Sequence, residues 1–250
     1  MILSTGGHAM EQPTQKSFTT SDGILIRYRV AGAGPPVVLL HGFSMSSGMW
    51  WQNGVVDALG GRYRLLAPDM RGHGDSDKPH DPARYGRKLV SDVAELISAE
   101  APSGAHVVGF SMGAELSLPL AVDHPAIIRS LYLIASGWSP PEIVDEYRIH
   151  MDWARERTEQ DAVDDLDALS AAVDAVDATV GLPEAQIAAI DLPMSGIVGE
   201  FDVERPHLER LARARPDFDL EILPGVDHMG SWKDPRVPGR IARFLDARPR

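Results

Sequence analysis

The chain has no cysteine, no apolar run near the roughly 18 residues needed to cross a bilayer, and a deficit of basic residues. The first absence excludes disulfides, a thiol nucleophile and zinc–thiolate sites, though it does not fix the compartment. The second leaves no transmembrane helix to expect. The third, 24 Lys and Arg against 36 Asp and Glu, gives a formal net charge of −12. Such a balance argues against nucleic acid or an anionic membrane as a partner. Residues 1–15 lack a basic stretch followed by an apolar core, so no secretory signal is expected. Residues 1–16 read as a flexible tail, and the cytoplasm is the default location.

What is present is the composition of a globular protein, 44% hydrophobic and 24% charged, long enough at 250 residues for a large core. Short apolar runs alternate with helical periodicity. Strands are expected around Phe18–Thr20, 24–30, Val37–Leu40, Arg64–Pro68, His106–Val108, Leu131–Ala135, Met194–Val198 and Asp219–Leu223. Asp22-Gly23 signals a hairpin between the first two. Helices are expected over Trp50–Leu59, Lys88–Glu100, the stretch after Ser111, His207–Ala214 and around Ile241–Leu245. This order predicts an α/β protein with a mostly parallel central sheet and helices on both faces. In such sheets the site lies beyond the carboxyl ends of the strands.

Gly109-Phe110-Ser111-Met112-Gly113 follows one such strand and opens a helix, the setting a G-x-S-x-G nucleophile turn requires. Ser111 is the candidate nucleophile. A serine hydroxyl needs a base, and His228, just past the last expected strand, is the best placed of nine histidines. The base needs an orienting acid. Asp202 and Glu200 both follow the Met194–Val198 strand, and Asp202, further along the loop, is preferred. The oxyanion donors are expected at the N–H of Met112 and of Phe43, in the loop His41-Gly42-Phe43. His41 itself reads as structural.

These segments, with Asp69-Met70-Arg71-Gly72-His73-Gly74-Asp75-Ser76 and Gly225-Val226-Asp227-His228, resemble the α/β-hydrolase superfamily. Within it they most resemble the small bacterial serine esterase-like members. The resemblance implies an α/β-hydrolase core over 17–137 and 192–247, with Ser111, Asp202 and His228 as triad and Phe43 and Met112 as oxyanion donors. It also implies that the Arg71–Ser76 loop is architectural, and His73, Asp75 and Asp77 are read as bracing it, with no metal ligand among them. The segment 138–191 stands where family members carry a lid, here a short helical one. Two features depart from an ordinary core. Pro119 falls inside the nucleophile helix, which predicts a kink or a short helix. The stretch 142–177 carries −9 of the net charge, either a field that selects cationic over anionic substrates or simply solvated helix surface.

Met45, Trp138, Met151 and Trp153 are candidates for the substrate pocket, with core or lid packing as the alternative. The expected activity is cleavage of small to medium carboxylic esters through an acyl-enzyme, with no cofactor, no metal and a small-molecule substrate as partner. Lactone, thioester, amide and carbon–carbon hydrolysis and perhydrolysis reuse the same triad and remain open, as does a ligand sensor of the same fold with little turnover. Epoxide or haloalkane hydrolysis would call for an aspartate where Ser111 stands. The oligomeric state is not legible.

Overall fold

A computed structural model describes residues 13–140, 147, 151–152, 154–156, 165–176 and 179–248. Eight strands form one sheet: β1 (Thr14–Thr19), β2 (Leu25–Ala31), β3 (Pro36–Leu40), β4 (Arg64–Pro68), β5 (Ala105–Phe110), β6 (Ile128–Ile134), β7 (Met194–Gly199) and β8 (Asp219–Leu223). The helices, in chain order, are α1 (Val55–Leu59), α2 (Arg87–Glu100), α3 (Met112–Asp123), α4 (Leu166–Asp174), α5 (Glu184–Ala188), α6 (Arg205–Ala214), α7 (His228–Lys233) and α8 (Val237–Asp246). Strand order is β1-β2-β4-β3-β5-β6-β7-β8. The β1–β2 and β2–β4 pairs are antiparallel and every other pair is parallel.

The sheet is buried on both faces because its central strands are mostly apolar, with few polar positions such as His106 and Ser130. Along β3 the pleat sends Val38 and Leu40 into one core, with α2 and α3, and Val37 and Leu39 into the other, with α1 and α8. Each such side chain, removed from water, contributes on the order of 1.5–3 kcal/mol. Helix α3 lies under this sheet with all but its last two residues buried, so it needs no polar face.

Several expectations are adjusted. Thr14–Lys16, expected within the tail, belong to β1, which pairs Thr14 with Val30. The hairpin loop is wider than two residues, with Gly23 at φ +85°. The single helix over Trp50–Leu59 is instead a 3-10 turn (Ser47–Trp51) followed by α1. The first element ends at its cap, Gln52, and the second is capped by Gly54, at φ +80°, with Asn53 Oδ1 accepting the Val55 N–H at 3.2 Å. Pro119 does not shorten α3, which runs uninterrupted through it. No helix among the described residues is long and apolar enough to cross a membrane.

Candidate active site

The strand order reverses direction around β3, so the loops after β3 and β5 open a crevice at the carboxyl edge of the sheet. Chain leaving β5 must enter α3 within one residue, and Ser111 makes that turn at φ +52°, ψ −119°. A residue with a side chain held there costs of order 1–3 kcal/mol. The flanking glycines make the turn possible. A Cβ on Gly109 would lie 2.3 Å from the Gly113 carbonyl oxygen, and one on Gly113 would lie 2.4 Å from that of Leu40.

Ser111 Oγ lies 3.1 Å from His228 Nε2, and His228 Nδ1 lies 2.8 Å from Asp202 Oδ1. With Nδ1–H donating to the carboxylate, Nε2 accepts from the serine hydroxyl. Asp202 is held from two further sides. Its Oδ1 accepts the Glu204 N–H at 3.0 Å and its Oδ2 accepts the Ser231 hydroxyl at 2.9 Å. Glu200, the alternative acid, points to solvent and accepts the Gly225 N–H at 2.8 Å. Burial works to lower the His228 pKa, but the hydrogen bond and charge of Asp202, helped by Glu204 and Glu115, raise it above its ordinary value.

The loop carrying Phe43 is fixed by His41. Its Nε2 accepts the Met70 N–H at 2.9 Å, so its Nδ1 carries the proton and donates to the Gly42 carbonyl at 2.8 Å. The ring therefore braces the loop from both nitrogens. Among the described residues, no hydrogen bond engages the N–H of Phe43 or of Met112. Both residues line a cavity of about 300 Å³, together with Leu89, Leu116, Tyr147 and Val176. Its wall includes no charged side chain among the described residues.

The loop after β4 is a bracing element. Arg71 is 1% exposed and grips Asp92 with two bonds of 2.6 Å. Asp69 accepts the N–H groups of Ser47 and Asp75, Asp77 accepts that of Leu25, and His73 Nδ1 donates to the Arg71 carbonyl.

Of the four residues named for the pocket, Trp138 lines a smaller cavity of about 190 Å³ beside Glu115. Its Nε1 donates to the Leu182 carbonyl and the Arg210 guanidinium stacks 3.5 Å over its ring, which ties the inserted segment to α6. Met45 and Met151 line neither cavity. Met45 packs against the core under α1, and Met151 is buried in the opposite one. Trp153 lies outside the described residues.

Sequence reasoning passed over a buried polar group behind Ser111 and His228: Glu115, Ser136, Ser139, Tyr147, Glu204 and His207. One signal was available, since Glu115 is the lone acid in the apolar first turns of α3. Glu115, Glu204 and His207 each bring one potential metal-ligand atom within 4.8 Å of the others. Those carboxylates already accept hydrogen bonds from Ser136, Ser139, Tyr147 and His207. The group is a satisfied hydrogen-bond network, and a metal would have to displace it.

A fold of this topology carrying this turn defines an α/β hydrolase. The family model described as the alpha/beta hydrolase fold matches residues 35–187, more than half of the chain, and the chain belongs to that family. It is 36% identical over 111 residues to the pimeloyl-[acyl-carrier protein] methyl ester esterase of Nitrosomonas europaea, covering 44% of this chain and 41% of that protein. Identity to the 2-(acetamidomethylene)succinate hydrolase of Mesorhizobium japonicum is 26% over 264 residues, covering 90% of this chain and 92% of that one. The crystal structure of E-2-(acetamidomethylene)succinate hydrolase superposes with a TM-score of 0.76 at 22% identity, covering 94% of this chain and all of that one, a likeness of fold. The chain spans about two fifths of the length of several other curated relatives, among them a soluble epoxide hydrolase from Corynebacterium.

Proposed function

We propose that this chain is a serine hydrolase acting on small to medium carboxylic esters. The observation that carries the reading is the hydrogen-bonded line Asp202–His228–Ser111, 2.8 and 3.1 Å, beside two backbone N–H groups with no partner among the described residues. His228 Nε2 takes the Ser111 proton as Oγ attacks the ester carbonyl. The tetrahedral oxyanion then accepts from Phe43 and Met112 N–H, and Asp202 stabilises the imidazolium. His228 returns the proton to the leaving alcohol, giving an acyl-enzyme. Water activated by the same histidine then releases the acid. No step calls for a cofactor.

A serine at the turn, with no carboxylate beside it in that role, supports acyl transfer over the epoxide and carbon–halogen chemistry that other relatives' names carry. The cavity beside Phe43 and Met112 supports an uncharged acyl group. Its described walls offer no cation for a dicarboxylate such as a succinate.

The test is hydrolysis of p-nitrophenyl esters from acetate to long acyl chains, by wild type and Ser111→Ala together. Turnover that peaks at short to medium chains and vanishes in the variant is expected. A folded protein inert on the whole series would move the reading to lactone, amide or carbon–carbon substrates, or to a sensor.

A further inference from the structure

The reaction just proposed does not use the polar group buried behind the triad. Glu115 sits one helical turn after Ser111, its N–H donating to the Ser111 carbonyl at 3.1 Å. Glu204 sits two residues after Asp202, and its N–H donates to Asp202 Oδ1. The two glutamates are thus rooted in the nucleophile helix and in the acid loop, and Ser136, in the loop after β6, lies between their carboxyl groups. Ser136 Oγ is 2.9 Å from Glu204 Oε2 and 3.2 Å from Glu115 Oε1.

A hydroxyl has one proton to give. If Ser136 donates to the nearer carboxylate, Glu204, its lone pairs face Glu115 Oε1. Two ionised glutamates would then leave that contact repulsive between buried groups. One proton on Glu115 resolves it, running Glu115 Oε1–H to Ser136 Oγ and Ser136 Oγ–H to Glu204 Oε2. The other Glu115 contacts come from the segment inserted between β6 and β7, where the Ser139 hydroxyl donates to Oε1 and the Tyr147 hydroxyl to Oε2. Tyr147 in turn meets the Phe43 ring edge-on, at 5.4 Å between centroids, and lines the larger cavity.

We propose that Glu115 is a positioning residue, sharing one proton with Glu204 through Ser136, and that this proton sets the basicity of His228 and the hold on Tyr147. The proposal rests on the serine-hydrolase reading. With the proton present, the network carries less negative charge behind His228, and the imidazole is the weaker base. With the proton gone, the added charge strengthens the base, and Tyr147 donates to a full carboxylate, a bond about twice as strong as one to a neutral acceptor. The inserted segment and the triad therefore respond to one titration.

The charged and titratable groups facing Glu115 are Glu204 from the acid loop, His207 from α6, His228 from α7 and Tyr147 from the inserted segment. Burial, and then the Glu204 charge, push the Glu115 carboxyl up to about 7, while Ser139, Tyr147 and His207 work the other way. Glu204 and Glu115 are both among the groups that raise His228.

The experiment is an NMR titration without substrate, following the glutamate δ-carboxyl carbons and the His228 ring in wild type, Glu115→Gln and Tyr147→Phe. In wild type the Glu115 midpoint is expected near 7. Tyr147→Phe removes a donor to the ionised form and should raise that midpoint by about half a unit or more. Glu115→Gln keeps the shape and can give an amide N–H to Ser136. It should lower the His228 midpoint by about half a unit, and the acid limb of ester turnover should follow. A Glu115 midpoint in the ordinary carboxylate range, or a His228 midpoint unmoved by Glu115→Gln, would overturn the proposal. A merely structural Glu115 would cost stability and leave the His228 midpoint in place. If Glu115→Gln fails to fold, the wild-type midpoint and Tyr147→Phe still decide. Failure of the esterase reading would appear as absent turnover, and these midpoints are read independently of it.

Discussion

The loop after β4 and the loops after β5 and β7 both bury carboxylates, and they surround them differently. In the first, Asp92 faces the Arg71 guanidinium, which also reaches Asp22 at 2.9–3.0 Å. Burial pushes Asp92 up to about 6, with Arg71 pulling it down, and Arg71 holds the partly exposed Asp22 well below its usual range. Arg71 ties both carboxylates to one permanent cation, and the result is a brace. Around Ser111 the buried acids are Asp202, Glu115 and Glu204, and their neighbours are hydroxyls and histidines, which can move a proton. Burying charge with a permanent cation gives rigidity, whereas burying it beside groups that titrate gives chemistry.

Breaking each side separately sharpens that contrast. Ser111→Ala should lower ester turnover by on the order of 10⁴-fold or more, with a melting temperature near that of wild type. Asp202→Asn should fall almost as far, because the asparagine leaves His228 in the wrong tautomer. Assaying both variants beside a thermal melt checks these expectations. Arg71→Ala should do the reverse, destabilising the fold by about 3–5 kcal/mol in denaturant melts because it strands a buried carboxylate.

Glu115 offers a pH-dependent test. Its folded pKa of about 7 lies above the ordinary 4.5, so its stabilising contribution is full below pH 4.5 and is lost as pH rises to about 7. Wild type should therefore lose stability relative to Glu115→Gln across that window, by on the order of 3 kcal/mol, in paired melts. The smallest effect is expected from Glu200→Gln, an exposed side chain away from His228, which should change turnover less than about twofold.

Much of this was legible from local rules. Strands β4 and β8 have the bounds the apolar runs suggested, Arg64–Pro68 and Asp219–Leu223. The structure brings Ser111, His228 and Asp202 together as their places past strand ends implied. Asp202 was preferred to Glu200 for its place further along the loop, although the two share strand parity, and the structure puts Asp202 against His228 and leaves Glu200 exposed. Helix α1 was misjudged because the Asn53-Gly54 break outweighs the surrounding apolar pattern. Pro119 left α3 intact because losing one helical N–H is tolerable in a helix held by packing on all sides. Tyr147 and the Glu115 network were out of reach, since they depend on how the inserted segment folds back over α3. No periodicity encodes that. For the same reason the sequence left Met45 and Met151 open between pocket and packing roles, and the structure packs them against the two cores.

The central claim is that Ser111 is a nucleophile activated by His228. A fluorophosphonate reacts with an activated serine hydroxyl and leaves a mass tag that peptide mapping locates. The account predicts one tag, on Ser111, that is absent from Ser111→Ala and forms far more slowly in His228→Ala. A folded protein that takes no tag, or a tag that persists in Ser111→Ala, would contradict it.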